Sequence, residues 1–286
     1  MKLPRLLARL FDRPIRPAEK DLGGPGPKKP HTLTGDVEFI EGIKSPRLGN
    51  ARTLIVYLPP SYRQMGARYP VLYLHDGQNV FDEATSFAGE WGADETAEAL
   101  ARDRGIEAIL VGIYNNADRL KEYAPFPAPE NDQTALGEAY AELVATVIKP
   151  LIDSRYRTLA DRAHSGILGS SMGGLISLYT AFSYPELFGF VGAMSPSFWF
   201  AGGQMYAWVK AHPVPPMRIY LDVGTAEEGE SPAGTAGFVQ DTRKMGELLE
   251  SQGHRVTVQV AQGANHSEAA WRERFPQVLE LFLTGS

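Results

Sequence analysis

The stretch Ser165-Gly-Ile-Leu-Gly-Ser-Ser-Met-Gly-Gly-Leu175 decides the fold. Its first half is a short apolar run typical of a buried strand, and its second half begins a helix near Met172. Between the two, Gly169-Ser-Ser-Met-Gly173 fits the G-x-S-x-G pattern of a nucleophile elbow, in which a serine occupies a tight strand-to-helix turn. The pattern centres on Ser171 only. A glycine-rich turn without chemistry would have the same five residues, so the interpretation depends on the rest of the chain.

The composition favours one large α/β domain with a substantial core. The chain has 286 residues, of which 43% are hydrophobic, and a net charge of −6, which argues against nucleic acid as a partner. The absence of cysteine excludes disulfides and cysteine-based zinc sites. The six histidines show no H-E-x-x-H or similar spacing, so we expect neither a metal nor a cofactor.

The first 30 residues differ from the rest because they hold eight Lys or Arg against three Asp or Glu. We predict a basic extension and linker over residues 1–35, followed by a catalytic domain over 36–286. The extension is either frayed or a short amphipathic helix lying on a membrane or on the catalytic domain. Arginines interrupt its leucines, which makes a poor signal peptide, and no apolar run approaches bilayer length. We therefore expect a cytoplasmic protein without an integral membrane segment.

Strand-like and helix-like segments alternate along the later chain, which predicts a mostly parallel, doubly wound α/β sheet with helices on both faces. The first two strands are expected to form an antiparallel hairpin. A helix with apolar residues from Leu136 is predicted to end at about Lys149, because Pro150 follows. The predicted strands, about eight in number, cover residues 37–43, 52–58, 69–74, 106–114, 165–170, 189–195, 218–223 and 254–260.

Two loops that follow late strands supply a base and an acid on the side of the elbow, where α/β proteins bind their ligands. His266 lies between the last strand and the closing helix and is expected to take the proton of Ser171. Glu227, four residues beyond the end of its strand, is the favoured acid. Asp222 inside the strand and Glu228 remain alternatives. The order serine, acid, histidine is that of α/β-hydrolase triads.

A third loop is expected to complete an oxyanion hole. The backbone N–H of Met172 is one donor, and the loop after the strand at 69–74 supplies the second. We assign that second donor to Gln78, because Gly77 permits a turn just before it. His75 and Asp76 are expected to brace this loop rather than to act as a catalytic pair.

Taken together, five segments resemble the putative-esterase (esterase D-like) family of α/β-hydrolases, which includes siderophore, feruloyl and acetyl xylan esterases. The resemblance covers roughly residues 37–284. It implies the α/β-hydrolase fold, Ser171 as nucleophile and His266 as base, whereas many hydrolases have Asp where Glu227 stands. The segments are Val56-Tyr-Leu-Pro-Pro-Ser-Tyr62, Pro70-Val-Leu-Tyr-Leu-His-Asp-Gly-Gln-Asn79, Arg119 with Glu122-Tyr123, Gly169-Ser-Ser-Met-Gly-Gly174 and Gly224-Thr-Ala-Glu227.

The leading hypothesis is a serine esterase that hydrolyses small-molecule esters through an acyl-enzyme intermediate. The alternatives are an acyltransferase, in which a bound alcohol replaces water, and a non-catalytic binding protein of the same fold. No large cap fits between Trp199 and Pro216, so we expect an open site. Arg119 either binds an anionic substrate or pairs with Glu122. The side chains expected to line an aromatic cleft, or else to belong to the core, are Trp91, Tyr123, Phe198, Trp199 and Phe200.

Overall fold

The computed structural model describes residues 16–17, 29–128, 134–227 and 234–285. Within them, eight strands form one sheet in the order β1-β2-β4-β3-β5-β6-β7-β8, and Arg16–Pro17 pairs antiparallel with the outer edge of β1. The strands are β1 (Asp36–Lys44), β2 (Ala51–Leu58), β3 (Val71–His75), β4 (Ile109–Ile113), β5 (Ser165–Ser170), β6 (Phe190–Met194), β7 (Arg218–Gly224) and β8 (Arg255–Ala261).

The sheet is antiparallel at one end and parallel elsewhere. The pairs β1–β2 and β2–β4 are antiparallel, and every pair from β4 through β3 and β5 to β8 is parallel. The central strands β3, β4, β5 and β6 are buried along their whole length, as expected for strands covered by helices on both faces. The predicted doubly wound α/β sheet, with its antiparallel entry hairpin, is confirmed, and its fold is that of the α/β-hydrolases.

Helices cover both faces. Alternate residues of β3 show the division, since Val71 and Tyr73 belong to one hydrophobic cluster and Leu72 and Leu74 to the other. Helices α1 and α8 pack on the second cluster, and α3 to α7 pack on the first. The helices are α1 (Ala93–Arg104), α2 (Arg119–Glu122), α3 (Gly137–Leu143), α4 (Lys149–Arg155), α5 (Met172–Ser183), α6 (Phe200–Ala211), α7 (Gly234–Ser251) and α8 (Glu268–Thr284).

The prediction that a helix ends before Pro150 is wrong. A π-helical turn over Val144–Ile148 joins α3 directly to α4, and the helical path continues to Arg155. The N–H of Lys149 bonds to the carbonyl of Val144, five residues back. Proline carries no N–H, so a wider turn just before it accommodates the ring without ending the helix.

Between β6 and β7 the chain forms only the 12-residue helix α6, so a large cap is absent from this connection. Ala201, Gly202 and Gly203 near the start of α6 have positive φ values, which kink its first turn. Within the described ranges, no helix has both the length and the apolar character needed to cross a membrane.

The described end of the N-terminal segment is bound to the catalytic body. His31 Nδ1 lies 2.8 Å from Asp82 Oδ2, and Thr32 Oγ1 donates to Glu90 Oε2 at 2.5 Å. Both acceptors belong to the loop between β3 and α1. Residues 1–15 and 18–28, where a basic amphipathic helix was considered, lie outside the described residues.

Candidate active site

Ser171 occupies a tight turn between β5 and α5, with φ 56° and ψ −123°. Few non-glycine residues adopt such a backbone conformation, and it is characteristic of a nucleophile elbow. A Cβ on Gly169 would lie 2.7 Å from the carbonyl carbon of Gly173, so a side chain cannot be placed there without a backbone shift. A Cβ on Gly173 would meet its nearest atom at 3.5 Å, an ordinary contact. Of the two glycines of the motif, only Gly169 therefore has no room for a side chain.

The serine hydroxyl and the predicted base share one pocket of about 640 Å³ at the carboxyl edge of the sheet. Ser171 Oγ lies 3.3 Å from Ser197 Oγ. Within the described structure, the serine hydroxyl makes this contact and no hydrogen bond to the imidazole of His266. The structure thus places the serine and histidine in the same pocket but does not join them.

His266 and Glu227 are joined directly. His266 Nδ1 lies 2.6 Å from Glu227 Oε2, and the carboxylate is fully buried. Its other oxygen, Oε1, accepts from the Gly224 N–H at 2.7 Å and from Ser195 Oγ at 2.5 Å. Burial by itself would raise the pKa of Glu227, but the hydrogen bonds from His266, Ser195 and Gly224 outweigh it and lower that pKa. The acid is therefore held ionised against the imidazole.

Asp222, the alternative acid, faces a different partner. Its Oδ2 accepts from Arg274 Nε at 3.0 Å and its Oδ1 from the second guanidinium nitrogen at 3.2 Å. The Tyr220 hydroxyl also donates to Oδ2, at 3.0 Å. Asp222 is consequently an ion-pair residue beneath the site rather than a partner of the histidine. Glu228, the remaining alternative, lies outside the described residues.

Ser195, which our sequence reasoning did not single out, links the two carboxylates. It is fully buried, has φ 43°, and follows β6 directly. Its hydroxyl donates to Glu227 and accepts from Trp271 Nε1 at 3.0 Å and from Arg274 at 3.1 Å. A serine directly after a buried parallel strand, at the edge that carries the elbow, is the signal that would have identified it.

The loop after β3 presents Gln78 to the same pocket. Gln78 is the middle residue of a short turn, Gly77–Asn79, and a Cβ on Gly77 would lie 2.5 Å from the Gly112 backbone. The side-chain Oε1 of Gln78 accepts from the Asn115 N–H at 3.1 Å, and this hydrogen bond fixes the loop to the end of β4. In the described structure the N–H groups of Gln78 and Met172 have no protein acceptor, so both remain available for a ligand.

The same loop is braced by Asp76 and His75, as expected. Arg119 Nε and its terminal nitrogen donate to the two carboxylate oxygens of Asp76, each at 2.7 Å. His75 Nδ1 lies 2.9 Å from the Tyr140 hydroxyl, and burial lowers the pKa of His75 to about 4. Of the two alternatives for Arg119, the ion pair with Glu122 is wrong, because buried Arg52 on β2 pairs with Glu122.

The aromatic residues divide between pocket and core. Trp91 and Trp199 line the pocket, and Trp91 also belongs to the second hydrophobic cluster, with 2% of its surface exposed. Phe198 and Phe200 are buried in the core instead. Tyr123 is fully buried below the loop, where its hydroxyl accepts from the Asp76 N–H at 3.2 Å, so it is not a wall of the cleft. Pocket-lining side chains that the sequence did not indicate are Phe87, Leu120, Ser197, Phe238, Glu268 and Trp271.

The site as a whole supports proton transfer and nucleophilic attack at one face of the sheet. A serine on a strained turn, a histidine hydrogen-bonded to a buried carboxylate, and Gln78 and Met172 all belong to one pocket or its immediate surroundings. Over the described residues, no cluster of three or more His, Asp or Glu side chains is placed to hold a metal ion.

Comparisons with known proteins agree with this arrangement. A profile of the family described as "Putative esterase" matches residues 45–282. The uncharacterized protein YbbA of Bacillus subtilis is 25% identical over 249 residues, covering 84% of this chain and 96% of YbbA. An endo-1,4-beta-xylanase/feruloyl esterase of Xylanibacter ruminicola is 28% identical over 232 residues, 78% of this chain but 28% of that protein. Among solved structures, an IroE-like serine hydrolase from Shewanella oneidensis shares the fold with a TM-score of 0.71 at 19% identity, covering 86% of this chain and 80% of that one.

Proposed function

The chain belongs to the Putative esterase family and is a carboxylic ester hydrolase, and we propose that it works through a Ser171–His266–Glu227 triad and an acyl-enzyme intermediate. The observation that carries this proposal is the buried Glu227 carboxylate on His266 Nδ1, in the pocket that Ser171 enters from its strained turn. A carboxylate on Nδ1 leaves Nε2 unprotonated, and only that nitrogen is then free to act as a base.

In the first half-reaction, the Ser171 hydroxyl turns from Ser197 towards His266 Nε2 and gives up its proton as Oγ attacks the ester carbonyl carbon. The carbonyl π electrons move to oxygen, giving a tetrahedral oxyanion. His266 then donates the proton to the leaving alkoxide as its C–O bond breaks, and an acyl-serine remains. The positive charge that appears on the imidazole meanwhile is balanced by Glu227.

The Met172 and Gln78 N–H groups are proposed to hold the oxyanion. Both are fixed before the reaction, one by the start of α5 and the other by the turn at Gly77–Asn79. Preorganised donors of this kind contribute about 10²- to 10³-fold each to kcat. In the second half-reaction a water, deprotonated by His266, attacks the acyl-serine. The bond from the acyl carbon to Ser171 Oγ then breaks, His266 returns the proton to Oγ, and the acid is released.

We infer activity on a broad range of short acyl esters, because the pocket of about 640 Å³ is reached without a large cap between β6 and β7. The feruloyl esterase named among the relatives suggests hydroxycinnamate esters, such as ferulates, as a second group to assay. The division of the chain into a basic extension and linker over residues 1–35 and one catalytic domain over residues 36–286 remains a proposal.

Hydrolysis of p-nitrophenyl acetate, p-nitrophenyl butyrate and ethyl ferulate tests this function. Ser171→Ala is expected to lower kcat by about 10⁴-fold or more, whereas Ser251→Ala, an exposed serine on α7, serves as the control. Wild-type rates no higher than those of Ser171→Ala would refute the serine mechanism. Product analysis in the presence of added glycerol distinguishes the acyltransferase, which would form acyl-glycerol in preference to free acid.

A further inference from the structure

The charges that line the active pocket do not cancel. Apart from His266, the charged side chains among its described lining residues are Asp76, Arg119 and Glu268. Asp76 and Arg119 neutralise each other through two hydrogen bonds of 2.7 Å. Glu268 forms no salt bridge, although Arg119 and His266 attract it at longer range, and its hydrogen bond is a long one, 3.4 Å from Asn79 Nδ2. The pocket therefore holds one uncompensated carboxylate besides the buried acid of the triad.

The position of Glu268 keeps that carboxylate beside the reacting atoms. It is the first residue of α8, two residues after His266, and Ser267 caps the helix by accepting from the Ala270 N–H at 3.3 Å. A glutamate in the first turn is favourable for any helix. This favourable interaction with the helix dipole explains why a glutamate stands here. It does not explain why the Glu268 side chain lines the pocket and is partly buried.

The other walls suit a cation. Trp91, Trp199, Phe238 and Trp271 line the pocket with Glu268, and Phe87 stands at its rim with 90% of its surface exposed. Aromatic faces attract ammonium groups, and they do so most strongly where water is excluded. Aromatic walls around a carboxylate are the chemistry that recognises a quaternary or primary ammonium.

We propose that Glu268 selects substrates by charge, so that esters carrying an ammonium group are preferred over neutral esters and anionic esters are disfavoured. This inference rests on the proposed esterase function and names its substrate class. Arg119 supplies no net positive charge to attract anionic esters, because Asp76 neutralises its guanidinium.

The expected size follows from Coulomb's law. For a separation of roughly 7 Å between the substrate charge and the carboxylate, at an effective dielectric between about 20 and 80, kcat/KM changes by about three- to fifty-fold. We take about tenfold as the working expectation for each sign of charge. The preference is expected to weaken as salt concentration rises, because the pocket is open to solvent.

Three thioacetates of similar shape provide the test: acetylthiocholine, its neutral isostere 3,3-dimethylbutyl thioacetate, and S-acetyl-3-mercaptopropionate. Released thiol is followed with a disulfide reagent, and the protein contributes no background because it contains no cysteine. The enzymes are wild type, Glu268→Gln and Glu273→Gln, the last an exposed glutamate of the same helix outside the pocket.

In wild type, kcat/KM is expected to decrease from the cationic to the neutral to the anionic ester. Glu268→Gln should reduce each of the two ratios by about tenfold, and Glu273→Gln should leave both unchanged. Ratios that stay the same in Glu268→Gln, or that change equally in Glu273→Gln, would overturn the proposal. Each ratio compares two substrates of the same enzyme, so a general effect of the substitution on the nearby His266 cancels. Failure of the serine mechanism would appear separately, as hydrolysis of the neutral ester that persists in Ser171→Ala.

Discussion

Replacing Glu227 with glutamine removes a charge while keeping the shape of the side chain. In the structure the two carboxylate oxygens have different partners. Oε1 accepts from the Gly224 N–H at 2.7 Å and from Ser195 Oγ at 2.5 Å, and Oε2 lies 2.6 Å from His266 Nδ1. A backbone N–H cannot reverse its role, so whatever occupies the Oε1 position must be an acceptor.

This arrangement fixes the orientation of the new amide. Its oxygen takes the Oε1 position, and its NH₂ group therefore faces His266 Nδ1. Nδ1 must then accept, so the imidazole proton moves to Nε2, the nitrogen that should receive the proton of Ser171. We expect kcat to fall by about 10⁴-fold, the cost observed when a triad acid imposes the wrong histidine tautomer. This is about 5 kcal/mol of activation free energy.

Asp222→Asn is the matched control, because it makes the same change of chemical group on β7, the strand that leads into the loop of Glu227. It removes the charge that pairs with buried Arg274 and leaves the histidine untouched. We expect kcat within about threefold of wild type and an unfolding free energy lower by about 3 kcal/mol, the cost of leaving a buried charge unpaired.

The assay is steady-state hydrolysis of p-nitrophenyl acetate, with urea unfolding followed by circular dichroism for both variants. Glu227→Gln should lose activity while keeping most of its stability, and Asp222→Asn should show the opposite pattern. Exchange of the two patterns would assign the triad acid to Asp222. A Glu227→Gln enzyme with kcat within tenfold of wild type would refute the tautomer argument.

Three further predictions concern the framework of the site. Gly169→Ala should abolish activity or folding, because its added Cβ would lie 2.7 Å from the backbone of Gly173. Gly173→Ala should keep measurable activity, because its Cβ would lie 3.5 Å from the nearest atom. Expression level, Tm and kcat of the two variants test this difference. Buried His75, whose pKa falls from 6.5 to about 4, binds a proton more readily when unfolded, so its contribution is present above pH 6.5 and is lost as the pH falls towards 4, by at most about 3 kcal/mol. His75→Asn should therefore lose less stability than wild type between pH 7 and 4.5 in urea titrations, and an identical pH dependence would contradict this. Ser195→Ala should lower kcat about tenfold and the unfolding free energy by about 1–3 kcal/mol, because it leaves donors of Trp271 and Arg274 without their acceptor. Unchanged kinetics would show that Glu227 keeps its position without the hydrogen bond from Ser195.

Features encoded locally were predictable from the sequence. The buried strands show as continuous apolar runs, and the spacing of glycines around Ser171 reflects a single turn of the backbone. The helix after Leu136 shows the limit of local rules, because Pro150 signals an end and the chain instead passes through a π-helical turn. A proline fixes which hydrogen bond is lost, but the packing around the helix decides whether the helix continues.

Apart from the contact between His266 and Glu227, partners distant in sequence were not predictable. Arg119 and Glu122 are three residues apart, and their pairing was one of two alternatives, yet each is bound by a residue more than 40 positions away, Asp76 and Arg52. Ser195 and Arg274 likewise gain their roles only when β6, β7 and α8 come together. One sequence identifies residue types and local turns, whereas the network around Glu227 depends on the order of strands in the sheet.

The most direct test of the central claim is the mass of the intact protein after treatment with a fluorophosphonate, followed by peptide mapping. With no cysteine in the chain, competing thiol adducts are excluded. The account predicts one adduct per chain, on the peptide containing Ser171, with complete loss of esterase activity. It also predicts no adduct in Ser171→Ala and slow labelling in Glu227→Gln. Equal labelling of wild type and Ser171→Ala, or full activity after labelling at Ser171, would contradict it.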